Sequence, residues 1–76
     1  MQAKELQDLI TRGIPDAQVT VTGEGDHFEA LVVSEQFAGR SPVERHRLVY
    51  AALGDRMGGE IHALALRTCT PGEWHG

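Results

Sequence analysis

The sequence predicts one α+β domain spanning residues 1–76, with the element order α-β-β-α-α-β and a three-stranded mixed sheet. Three observations carry that expectation. A helical apolar period opens the chain, a glycine-rich turn separates two segments rich in valine, and a capped helical stretch separates the second of these from a third alternating segment. At 76 residues, 41% hydrophobic and 24% charged, the chain has material for one core and little beyond it. A chain of this size buries roughly 60% of the surface its unfolded form exposes, so a deep catalytic cavity is not expected.

Between Lys4 and Arg12, Leu6, Leu9 and Ile10 stand at i, i+3 and i+4, and Gly13 before Pro15 closes the pattern, which gives a short amphipathic helix. From Gln18 to Thr22, Val19 and Val21 alternate with polar residues and form a first strand, and Gly23-Glu24-Gly25-Asp26 supplies a hairpin turn. His27 to Ser34 is too short for a helix and reads as the second strand. Glu35 to Ala38 makes one helical turn, stopped by Gly39. Ser41-Pro42-Val43-Glu44 combines an N-cap serine, a proline at the first helical position and a glutamate at the third, so the longest helix begins there. Along it His46, Val49, Tyr50, Leu53 and Met57 form one stripe, with His46 a packed core group, and Gly58-Gly59 ends it. Ile61 to Thr68 reads as the third strand, and the turn Thr70 to Trp74 lays the indole over a core edge.

Topology then constrains geometry. The tight turn makes the first two strands antiparallel, whereas the long helical crossover makes the second and third parallel if they are neighbours. His27 opens the second strand and His62 the third, so parallel pairing brings both imidazoles to one edge of the sheet.

Composition removes several function classes. The net charge of −4 disfavours generic binding to nucleic acid, although Arg40, Arg45, Arg47 and Arg56 gather in one stretch that could serve a partner. The single cysteine, Cys69, allows neither an intrachain disulfide nor an all-cysteine metal site, and a reducing compartment fits. It lies seven positions past His62, about 20 Å along an extended strand, too far to share a metal with it. No window approaches the ~18 apolar residues of a membrane helix and no apolar leader follows Met1, so a cytoplasmic chain without a membrane partner is expected. No nucleophile stands at recognisable spacing from a base and no glycine loop is placed to cradle phosphate, so no catalytic residue is assigned and the chain is read as a non-enzyme.

Five separated pieces, His27-Phe28-Glu29-Ala30-Leu31-Val32-Val33-Ser34, Phe37-Ala38-Gly39, Arg45-His46-Arg47-Leu48-Val49-Tyr50, Ile61-His62-Ala63-Leu64 and Thr70-Pro71-Gly72-Glu73-Trp74, resemble the BolA-like family in order and spacing. The resemblance implies a fold similar to the class II KH domain and a role in iron–sulfur metabolism beside CGFS-type monothiol glutaredoxins. It implies that His62 is a ligand to a [2Fe-2S] cluster shared with the glutaredoxin and its glutathione. It also implies that His27 is a second ligand, as in a histidine-loop subgroup, although the loop Thr22 to Asp26 is shorter than in many relatives. On pattern alone these two residues read as ordinary strand and turn histidines. Arg45, Arg47 and Trp74 are the residues expected to meet the partner, the arginines through a carboxylate of the glutaredoxin or of glutathione.

A [2Fe-2S] cluster needs four ligands, of which this chain supplies at most half, so the isolated chain, a monomer or weak homodimer, is expected to bind none. Histidine ligates when neutral, so acid should weaken the cluster, and the other ring nitrogen needs an acceptor, for which Glu60, Asp26 and Glu24 are candidates. The alternative is a transcriptional regulator that binds DNA through the KH-like fold and the arginines, but the glycine loop with which KH domains clamp nucleic acid is missing between Phe37 and Pro42.

Overall fold

The structure, a computed structural model, describes residues 1–75. Helix α1 (Ala3–Gly13) leads into strands β1 (Gln18–Glu24) and β2 (His27–Val33); a 3₁₀ turn (Glu35–Phe37) precedes helix α2 (Pro42–Leu53), and a second 3₁₀ turn (Gly54–Arg56) precedes strand β3 (Ala63–Cys69). The sheet order is β1-β2-β3, antiparallel between β1 and β2 and parallel between β2 and β3. The α+β architecture with a mixed three-stranded sheet is therefore as the sequence predicts, with the two helices on one face. No helix of the described residues is long and apolar enough to cross a membrane.

Alternation divides the sheet into two faces. Val21, Phe28, Ala30 and Val32 point into a core with Leu6 and Ile10 of α1 and Val49 and Leu53 of α2, while Thr20, Thr22 and Glu29 point away from it. Phe37 is wholly buried, and truncating a buried phenylalanine to alanine costs about 3–5 kcal/mol, a large share of the stability of so small a chain. The helices cross closely: a Cβ on Gly13 would stand 2.4 Å from that of Ala52.

The N-terminus of α2 has the expected cap. Ser41 Oγ accepts from the Glu44 amide at 3.2 Å, and the Ser41 amide donates to the Glu44 carboxylate at 3.0 Å. Its C-terminus differs from expectation. The helix ends at Leu53 because Gly54 takes φ +63, and Met57 lies beyond it in extended backbone rather than on the helical stripe. Tyr50 faces outward, 38% exposed, and half-buried His46 meets it edge-on at 6.3 Å instead of packing in the core. The Met57 side chain still packs, partly buried, against the core, while its backbone forms an isolated parallel bridge with fully buried Ile61; β3 starts at Ala63 and not at Ile61.

The hairpin is tighter than the four-residue turn expected. β1 runs on to Glu24, which pairs with His27, leaving Gly25 and Asp26 as the turn. Gly25 has φ +71, the arrangement of a II′ turn with glycine first. At Gly23, φ is +120 and a Cβ would fall 2.4 Å from the His27 carbonyl oxygen, so only glycine lets β1 approach the first residue of β2.

Candidate functional site

His27 is the first residue of β2, and His62 sits in the bend one residue before β3. The parallel register pairs His27 with Ala63, which sets the two histidines side by side at one rim of the sheet. Asp26 is the bracket between them. Its carbonyl oxygen accepts from the amides of His62 (2.9 Å) and Ala63 (3.1 Å), fastening the start of β3 to the hairpin turn. Its carboxylate accepts from His27 Nδ1 at 2.6 Å and faces His62 Nδ1 at 3.5 Å, one oxygen toward each ring.

The electrostatics follow from that arrangement. The hydrogen bond from His27 holds the Asp26 carboxyl below its usual range, with the two imidazoles adding to the effect. Both rings are open to solvent, with 74% of the His27 side chain and 64% of that of His62 exposed, so a second molecule can reach them. A shallow concavity beside them is lined by Thr22, Gly23, Phe28, Glu29 and Ala63. Chemically, an imidazole that donates from Nδ1 to a carboxylate has its lone pair on Nε2, as His27 does here, and the exposed His62 ring stands beside it on the same carboxylate. Among the described residues no three His, Cys, Asp or Glu side chains are grouped to hold a metal ion, so any such centre at this rim would need ligands from another molecule.

Of the three carboxylates considered as acceptors for the rings, Asp26 is the one that meets them. Glu24 stands opposite His27 in the ladder, Glu60 is exposed, and neither hydrogen-bonds an imidazole among the described residues.

The remaining site residues lie elsewhere. Arg45 is not free to meet a partner's carboxylate as the sequence suggests: its side chain is 14% exposed and already engaged. Its guanidinium donates to both Glu73 oxygens (2.7 and 3.2 Å) and its Nε donates to the Arg40 carbonyl. The paired guanidinium, together with the Thr70 amide, lowers the Glu73 carboxyl to about 2. Arg45 thus ties α2 to the Thr70–Trp74 turn. Arg47 is exposed on α2. Trp74 is half-buried, with the Arg67 guanidinium 5.5 Å from its ring centroid. This turn follows the C-terminal end of β3, whose last residue is buried Cys69, so Trp74 and Cys69 are at the opposite end of the sheet from the histidines. The Arg45–Glu73 pair escaped the sequence reading, although Thr70-Pro71-Gly72-Glu73 carries the threonine-to-glutamate spacing of a capping box, which the structure uses reciprocally.

Comparison with known proteins bears on the family and the fold. The profile of the BolA-like protein family matches residues 10–73. Human "BolA-like protein 1" is 52% identical over 52 residues, which cover 68% of this chain and 38% of that protein. The "DNA-binding transcriptional regulator BolA" of Vibrio cholerae is 54% identical over 52 residues, covering 68% of this chain and 49% of that protein. The chain thus spans half or less of these two relatives' lengths. A bolA protein homologue from Coxiella burnetii superposes with a TM-score of 0.86 at 42% identity, over 96% of this chain and 95% of that one. With the same helices, the same mixed sheet and a family match from α1 to the final turn, this chain belongs to the BolA-like family.

Proposed function

We propose that this protein is a partner of a CGFS-type monothiol glutaredoxin and lends His62, with His27, to a [2Fe-2S] cluster that the two proteins and glutathione hold together. The family is one of regulators and partner proteins, not enzymes, and the chain is accordingly not an enzyme. The observation that carries the reading is the pair of exposed imidazoles flanking Asp26 at one rim. Their chemistry fits the group: nitrogen donors replace two thiolates on one iron in Rieske-type centres, and the remaining ligands belong to the partner. When bound, such a cluster supplies one-electron redox chemistry at a raised potential. His62 and His27 would hold it, and Asp26 would keep the rings turned toward it. The histidine-loop subgroup and a cytoplasmic setting belong to the same reading.

The test is reconstitution. Mixing the chain with a CGFS glutaredoxin, glutathione, iron and sulfide should give a heterodimer whose visible absorption and circular dichroism differ from those of the glutaredoxin homodimer. His62→Ala should abolish the difference and His27→Ala should reduce it. A heterodimer spectrum indifferent to His62→Ala would end the proposal.

A second reading, DNA binding in a regulator, is favoured by the name of the Vibrio cholerae relative and by exposed Arg40 and Arg47. It requires salt-dependent binding to duplex DNA that weakens when Arg40 and Arg47 are neutralised. No binding at low salt would dispose of it.

A further inference from the structure

We infer that Asp26 is a shared positioning residue: one carboxylate sets both imidazoles with Nδ1 protonated and turned inward, so that the chain presents Nε2, at His27 and at His62, to whatever centre it helps to hold. The inference rests on the proposed function for its consequence, but its physical content lies in this chain alone.

The geometry is specific. Each carboxylate oxygen of Asp26 faces one imidazole, Oδ1 hydrogen-bonded with His27 Nδ1 at 2.6 Å and Oδ2 at 3.5 Å from His62 Nδ1. A carboxylate can only accept, so the neutral ring bonded to it at 2.6 Å must carry its proton on Nδ1, leaving the lone pair on Nε2. His62 is the looser of the two, in electrostatic contact with the carboxylate, and its amide is pinned to the Asp26 carbonyl at 2.9 Å. Asp26 in turn has little freedom: it is the second residue of a two-residue turn, and its carbonyl is held by the amides of His62 and Ala63. Backbone and side chain of one residue thereby set the spacing and the orientation of both rings. Losing such an outer contact typically costs a metal site 10–100-fold in affinity.

Two measurements test this and fail separately. In the isolated chain, long-range ¹H–¹⁵N correlation spectra recorded at alkaline pH report the tautomer of each ring. Nδ1–H should be the majority form of His27 in the natural chain and the minority form in Asp26→Ala, with His62 shifting in the same direction by less. Amide spectra of β1 and β2 confirm folding, and Asp26→Asn, which keeps a turn-forming side chain but no charge, should fall between. Nε2–H as the majority form of His27 in the natural chain, or tautomers unchanged in Asp26→Ala, would overturn the inference. In the reconstituted heterodimer, Asp26→Ala should release the cluster to a chelator about tenfold or more faster than the natural chain, and equal rates would likewise overturn it. If no heterodimer forms with the natural chain, the proposed function fails, and the tautomer result still decides the role of Asp26.

Discussion

The two ends of the sheet are built on opposite terms. At the far end, where β2 gives way to the first 3₁₀ turn, buried Ser34 donates to Asp16, and Asp16 also accepts from the Glu35 amide and the Gln36 side chain. Nearby, Arg45 clamps Glu73, and both carboxyls are held below their usual range, Asp16 chiefly by Ser34 and Glu73 chiefly by Arg45. At the near end, where β2 and β3 begin, the polar groups are exposed and one carboxylate serves two rings. The contrast separates two uses of polar residues. At the far end polar groups satisfy one another and fix the chain; at the near end they leave two imidazoles open to solvent, which the proposed function uses as ligands.

Breaking the far end should have the largest effect on stability. Phe37→Ala should lower the unfolding free energy by about 3–5 kcal/mol in urea titrations, and the rim should be lost with the fold. Next is Gly23→Ala, where φ +120 and the clash with the His27 carbonyl force the hairpin apart; a cost above about 1 kcal/mol is expected, with amide shifts concentrated at residues 22–28.

Glu73→Gln sharpens the comparison through pH. The Glu73 carboxyl is lowered from its ordinary 4.5 to about 2 in the folded chain, so its contribution is complete above the ordinary value and is lost as pH falls through about 2. The Tm difference between the natural chain and Glu73→Gln should therefore be constant near neutrality, shrink below pH 4.5 and be mostly gone once pH has fallen to about 2. A difference unchanged across that window would mean that the pair does not stabilise the fold. The smallest effect on stability is expected at the near end. His62→Ala should change the unfolding free energy by no more than about 0.5 kcal/mol, as for other exposed positions, while removing the heterodimer spectrum.

Local signals in the sequence account for most of the fold. The Leu6, Leu9 and Ile10 period, the glycine turn and the Ser41 to Glu44 box each act within a few residues, and each element formed near its expected place. The meeting of His27 and His62 was also legible, because strand direction follows from the length of the crossover. Contacts distant in sequence were not. Arg45 and Glu73 are 28 residues apart, and nothing local distinguishes a guanidinium that will be clamped from one that stays free. The end of α2 differs for a local reason: Met57 continues the helical period, but Gly54 at φ +63 stops the helix and Met57 bridges Ile61 four residues on.

The parallel pairing of β2 with β3 has a consequence for how the molecule comes into being. β3 leaves the ribosome after β1, β2 and both helices, and pairing across a long crossover closes late because the entropy of the intervening loop must be overcome first. Until that strand docks, the nascent hairpin shows a lone imidazole. The second arrives only when β3 docks, so a copy in which β3 is unpaired lacks the juxtaposed rings, and a partner that needs both would pass it over.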